Sequence, residues 1–189
     1  RGFILPKFFL ENCGAYLAAI RSIGRTEEYF YMPVFESAAM IPPQTRREAL
    51  TEMRAQLDTV SGSILNIRVG GNDLSHAFGL RRPANRTIYD LRPVADILID
   101  IVAAFGTQYV VSGPVWEYYS GEGWEEGLRR EMELDLLNGF TGKTVIHPNQ
   151  IPVVNEMLRV SQRDYADARA ILNWDTGSGS LVSASEDGG

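Results

Sequence analysis

Two carboxylates stand where short apolar runs give way to polar residues: Glu36 after residues 29–35, and Asp73 after residues 64–69. If those runs are successive parallel strands, both carboxylates reach the same rim, which is the usual arrangement for holding a hard divalent cation. Mg²⁺ takes one or two carboxylates, keeps several waters and leaves positions open for substrate oxygens. Taken singly, either residue suits a helix cap or a solvated surface equally well. The other apolar runs also end in polar residues: Lys7, Ser112-Gly113-Pro114 and His147-Pro148.

The third run says more. Alternation along residues 64–69 sets Leu65, Ile67 and Val69 on one face and Asn66 and Arg68 on the other. Arg68 then points inward below the rim, where an anionic ligand or an ion pair with Glu36 or Asp73 would justify its burial. Gly70 and Gly71, followed by Asn72, allow the backbone to approach a ligand closely.

These residues need a frame, and the chain alternates apolar runs with amphipathic stretches in the manner of β/α units around a parallel sheet. Five strands are expected, at residues 3–6, 29–35, 64–69, 109–112 and 144–146. Helices are expected at 12–24, 45–59, 91–105 and 152–174, with a loop and helix across 116–138. Pro152 sits in the first turn of the last of these.

Composition excludes several classes. With 18 Lys+Arg against 24 Asp+Glu the chain is acidic, and Arg46-Arg47 and Arg81-Arg82 are isolated pairs, not the basic stripe of a nucleic-acid binder. No apolar run approaches the roughly 20 residues of a membrane helix. Cys13 is the single cysteine, so an intramolecular disulfide is impossible; it reads as a small buried hydrophobe, and a reducing cytoplasm fits best. Gly142-Lys143-Thr144 mimics the tail of a phosphate-binding loop, but that motif needs glycine where Leu137 stands. Ser112 lacks a G-x-S-x-G elbow, which disfavours a serine hydrolase. His147 reads as a hydrogen-bonded turn histidine or a base, and His76 as exposed. Two separated histidines and one cysteine do not make a zinc site.

Residues 139–151, Gly-Phe-Thr-Gly-Lys-Thr-Val-Ile-His-Pro-Asn-Gln-Ile, resemble the G-F-x-G-K-x-x-I-H-P-x-Q-I signature of citrate lyase β-subunit-like proteins in the HpcH/HpaI aldolase superfamily. Leu5-Pro6-Lys7, Pro33-Val34-Phe35-Glu36 and Gly70-Gly71-Asn72-Asp73-Leu74 resemble the fourth, fifth and sixth strands of that family. With Leu80-Arg81-Arg82 and Ile88-Tyr89-Asp90, the chain most resembles the branch called C–C bond lyases of TIM-barrel fold, often associated with tellurium-resistance gene clusters.

The resemblance implies a (β/α)₈ TIM barrel of which this chain holds strands 4 to 8. It implies Mg²⁺ on Glu36 and Asp73, and cleavage or formation of a C–C bond in an oxo acid or acyl thioester. Arg68 or Lys7 would add positive charge to the enolate or a carboxylate, with Gly70, Gly71, Asn72, Ser112 and His147 lining the substrate. A homo-oligomer is expected by the same resemblance, while no basic or adenine-stacking motif points to coenzyme A. Two other readings stay open: a phosphoenolpyruvate-type transferase or mutase on the same barrel, and a ligand-binding scaffold subunit without activity.

A barrel of this kind typically takes about 250 residues, against 189 here. Three β/α units are therefore expected to precede Arg1 or to come from another chain. Residues 1–175 are expected to belong to the barrel domain, and 176–189, rich in Gly and Ser, to form a flexible tail or part of a lid.

Overall fold

A computed structural model describes residues 1–23 and 29–173. Five parallel strands, β1 (Gly2–Leu5), β2 (Phe30–Phe35), β3 (Ile67–Val69), β4 (Val111–Gly113) and β5 (Gly142–Lys143), pair in sequence order. Between them run α1 (Leu10–Ser22), α2 (Pro43–Asp58), α3 (Gly71–Ala77), α4 (Arg92–Phe105) and α5 (Trp124–Leu137). Parallel strands paired in chain order and joined through helices form an arc of a β/α barrel, and this gathers every strand's carboxyl end on one rim. Residues 1–157 form one unit; Leu158 onward forms a second, in which α7 (Gln162–Leu172) starts at a Ser161 cap whose hydroxyl accepts the Asp164 N–H at 3.0 Å.

Register decides which side chains face the helices. Phe35 pairs with Val69 and Ile67 with Val111, and all four are buried in the main apolar core with Leu50, Met53 and Leu57 of α2 and Leu98, Ile101 and Phe105 of α4. Phe105 meets Phe35 edge-on, ring centroids 5.1 Å apart. In α1 the apolar positions Cys13, Leu17 and Ile20 recur at helical spacing and are buried, which bears out the reading of Cys13 as core; burial pushes its thiol pKa up. A smaller cluster joins Trp116, Leu128, Met132, Val153 and Val154 beneath α5 and α6 (Gln150–Met157).

Three expectations shift. The fifth strand is Gly142–Lys143, not 144–146: Ser112 pairs with Gly142 and Gly113 with Lys143, while Ile146 is 54% exposed. The apolar run misled because the true strand carries a lysine whose ammonium is neutralised inside the protein. Leu65 and Asn66 lie before β3, Leu65 being 52% exposed, so the strand alternation begins only at Ile67. The single helix expected over 152–174 is two, α6 ending at Met157 and α7 beginning at Gln162, because Ser161 caps a new start. Trp174 and the expected tail lie outside the described residues.

Between sheet and α5 lies a dry charge cluster. Lys143 Nζ donates to Glu131 Oε1 at 2.8 Å and Asp135 Oδ2 at 2.7 Å, and Arg82 pairs with Glu131 Oε2. All four side chains are at most 3% exposed. The Tyr89 hydroxyl donates to Asp135 Oδ1 at 2.8 Å, and Arg82 lies 4.8 Å above the Trp116 ring. Burial and the Asp135 carboxylate raise the Tyr89 pKa, and burial raises that of Asp135.

Truncating Phe105 to Ala removes a fully buried ring between α4 and β2 and should cost about 3–5 kcal/mol, read as a lowered urea midpoint at unchanged slope.

Candidate active site

The rim is assembled from three chain turns. After β1, Lys7 adopts a left-handed backbone conformation, φ 49°, that side chains other than glycine seldom take. Asn12 holds it there: its amide donates to the Lys7 carbonyl at 2.8 Å while its oxygen accepts the Phe9 N–H at 2.9 Å, so the side chain that starts α1 also fixes the turn. The Lys7 N–H in turn donates to Glu36 Oε1 at 3.0 Å. Its ammonium crosses to Asp73 Oδ2 at 3.0 Å.

Glu36 follows β2 directly, and Asp73 lies in the first turn of α3 after β3. Lys7 thus bonds both carboxylates, Glu36 through its backbone N–H and Asp73 through its ammonium. Burial lifts the Glu36 carboxyl above the ordinary carboxylate range, the Asp73 charge adds to this, and the Lys7 N–H opposes it. Asp73 hydrogen-bonding and charge raise the Lys7 ammonium pKa. The Lys7–Asp73 pair is 67% and 49% exposed, so it contributes little stability and chiefly organises the rim.

Gly70 is required by this packing. A β-carbon there would collide with the Glu36 side chain, and the Gly70 N–H donates to the Phe35 carbonyl at 3.0 Å, locking the ends of β2 and β3 together. The space beside Gly71 is filled by Ile88 and Pro114. The two glycines therefore admit side chains of this chain close to the backbone. Asn72 is half-buried in the first turn of α3.

Below the rim, register sets Val34, Arg68 and Ser112 on one sheet face. The partly buried Arg68 donates from Nε to Thr144 Oγ1 at 3.4 Å and forms no ion pair among the described residues, so neither carboxylate anticipated as its partner claims it. Ser112 accepts from Asn66 Nδ2 at 2.6 Å, which leaves Asn66 Oδ1 buried without a hydrogen-bond partner. His147 lies after β5, stacked on Tyr119 with ring centroids 4.2 Å apart, its Nδ1 accepting the Asn149 N–H at 3.2 Å. Of the sequence candidates, Lys7, Glu36, Gly70 and Asp73 meet in one cluster, Arg68 and Ser112 share the face beneath it, and His147 stands on the rim beyond β5.

Sequence reasoning passed over Gln150. Fully buried, it donates from Nε2 to the carbonyls of Trp116 at 2.8 Å and Tyr118 at 2.9 Å and accepts the Ile146 N–H at 2.9 Å, tying the loops after β4 and β5 together. Its position in the histidine-proline motif was the available signal.

A family described as C-C bond lyase of the TIM-barrel fold matches residues 1–187. The chain belongs to this family. It is 38% identical over 74 residues to the L-malyl-CoA/β-methylmalyl-CoA lyase of Cereibacter sphaeroides, a match covering 38% of this chain and 22% of that enzyme. Among solved structures it is similar to RipC from Yersinia pestis, with a TM-score of 0.64 at 16% identity, covering 87% of this chain and 66% of RipC. It is likewise similar to CitE from Mycobacterium tuberculosis, solved with magnesium, acetoacetate and coenzyme A, with a TM-score of 0.57 at 21% identity over 98% of this chain and 70% of CitE. The chain thus spans about two thirds of these structures and a smaller part of the lyase. The C–C bond lyase branch and the TIM-barrel fold expected from sequence are borne out at the level of family and fold.

The donor chemistry of the rim suits a divalent cation. Two carboxylates from adjacent strand ends face each other at a cost that a cation would relieve, and among the described residues no group of three or more His, Cys, Asp or Glu gathers as a zinc site would need. No helix among the described residues is long and apolar enough to cross a membrane.

Replacing Gly70 with Ala forces Glu36 to move and should cost about 1–3 kcal/mol by overpacking. Gly62→Ala, where a β-carbon meets nothing within 4 Å, should stay within about 0.5 kcal/mol of the parent. Urea unfolding of the two variants side by side checks this.

Proposed function

We propose that this chain carries the metal-binding rim of a Mg²⁺-dependent carbon–carbon lyase or aldolase acting on an oxo acid or acyl thioester. The observation that carries the reading is the meeting of Glu36 and Asp73 at the ends of adjacent strands, with Lys7 bridging to both. Glu36 and Asp73 would hold the cation, which supplies a Lewis acid for a carbonyl oxygen and stabilises the negative charge left when the C–C bond breaks. The CitE structure with magnesium, acetoacetate and coenzyme A and the malyl-CoA lyase likeness support this substrate class.

The chain's own residues divide the remaining work. Arg68 offers positive charge from the face below the rim, where its bond to Thr144 occupies only Nε and leaves the guanidinium fork for a substrate carboxylate. Lys7, exposed at the rim, places a second positive charge next to Asp73. Ser112 and the rim backbone from Gly70 to Asn72 would shape the substrate cavity, and His147, held flat against Tyr119, would border it. The family association with tellurium-resistance clusters, a cytoplasmic location and homo-oligomeric assembly belong to the same proposal.

Purified protein should release a small oxo acid such as pyruvate, oxaloacetate or glyoxylate from its substrate only with Mg²⁺, and EDTA should abolish turnover. Glu36→Gln and Asp73→Asn should each lower kcat/KM by more than about 100-fold, followed by a coupled dehydrogenase assay. Unchanged turnover in both variants would sink the proposal, and phosphate transfer in place of oxo-acid release would favour the transferase reading.

A further inference from the structure

We infer that the dry Arg82–Glu131–Lys143–Asp135 cluster acts as a remote clamp that sets the place of Asp73 on the rim, with Glu131 as its positioning residue. The proposal rests on the metal-binding reading of Glu36 and Asp73 given above.

The connection runs through contacts. Glu131 is fully buried on α5, and its Oε2 accepts the Ile88 N–H at 2.7 Å as well as pairing with Arg82. Ile88, buried itself, lies against Gly71 so closely that a β-carbon added there would stand 2.5 Å from Ile88 Cδ1 and 2.6 Å from Pro114 Cβ. Gly71 opens α3, the helix whose first turn carries Asp73.

Both residues wedged against Gly71 are held by the same cluster. Ile88 is held through its backbone on Glu131. Pro114 is held on both sides: Gly113 before it packs against the Asp135 carboxylate, with a β-carbon there only 2.6 Å from Oδ2, and the Val115 carbonyl after it accepts Arg82 at 2.8 Å. Lys143 closes the cluster by bridging Glu131 and Asp135.

Such a cluster is a poor source of net stability, since apolar residues of similar volume often do as well. Its geometric demand is severe, however: Glu131 must meet Arg82, Lys143 and the Ile88 N–H at once, which fixes α5, β5 and the segment before α4 relative to one another. Interiors are close-packed, so a displaced Ile88 passes its shift to Gly71 without slack. The Leu74 N–H, bonded to the Gly70 carbonyl at 3.1 Å, reports the first turn of α3 directly.

The test compares Glu131→Gln, which removes charge at constant shape, with Ile88→Ala, which leaves the ions intact and removes the wedge, and with Leu57→Ala, a buried α2 residue outside this chain of contacts. Two quantities are read: Mg²⁺ affinity by calorimetry and hydrogen exchange of the Leu74 amide in metal-free protein. Glu131→Gln and Ile88→Ala should each raise the Mg²⁺ Kd at least tenfold and speed Leu74 exchange at least tenfold relative to α2 amides. Leu57→Ala should lower the unfolding midpoint while leaving both within twofold, and Glu131→Asp should recover part of the affinity. If Glu131→Gln fails to fold, Ile88→Ala decides. Unchanged Leu74 exchange in the folded variants, or faster exchange with unchanged Mg²⁺ affinity, overturns the inference. Absence of Mg²⁺ binding by the parent protein would refute the metal reading instead, and Leu74 exchange would still decide whether the cluster positions α3.

Discussion

Two carboxylates that face one another repel, and keeping them close requires a framework that neither can push apart. Here the framework is the hydrogen bonding of parallel strand ends. Gly70 bonds to Phe35, the Lys7 N–H to Glu36, and Asn12 pins Lys7 in a conformation it would not otherwise favour. The links join the ends of β1, β2 and β3, so the rim depends on those three strands keeping their register. The phenylalanines behind it supply the rigidity: Phe8 stacks on Phe35, and Phe105 abuts Phe35 from α4.

The protein holds charge in two regimes, and the contrast explains their separate uses. At the rim, Lys7 and Asp73 are exposed and water screens their attraction, so partners there can exchange at little cost. Between β5 and α5, Lys143, Glu131, Asp135 and Arg82 are sealed from water, and losing any one would strand a charge in the interior. The first arrangement suits a site that must accept a cation and a substrate. The second suits a fixture that must not move.

Much of this was legible in sequence because it follows from periodicity. Strand ends, the amphipathic α4 and the placement of Glu36 and Asp73 on a common rim all come from apolar alternation and β/α spacing. What escaped were elements whose physics is non-local. Lys143 sits in a strand only because Glu131 and Asp135, on α5, neutralise it, and no local pattern announces that a lysine will be buried. Gln150 stood within the histidine-proline motif, but its burial depends on non-local partners too, the carbonyls of Trp116 and Tyr118 in the loop after β4. The neighbours that crowd Gly70 and Gly71, namely Glu36, Ile88 and Pro114, are likewise non-local and carry no local signal.

The face below the rim carries two polar groups that the fold leaves partly unanswered. Asn66 Oδ1 is buried without a partner, and Arg68 spends one donor on Thr144. A buried amide oxygen costs about 1–3 kcal/mol when unpaired, and a guanidinium on an inner sheet face wants an anion. On the proposed reading the second demand is met by a carboxylate-bearing substrate whose acid group meets Arg68 and whose carbonyl reaches the rim above, while the Asn66 oxygen, an acceptor, calls for a donor such as a substrate hydroxyl. Arg68 lies on β3 before Gly70 and Asp73 follows on α3, so on that reading an extended oxo acid would lie along the strand direction with its carbonyl toward Glu36 and Asp73.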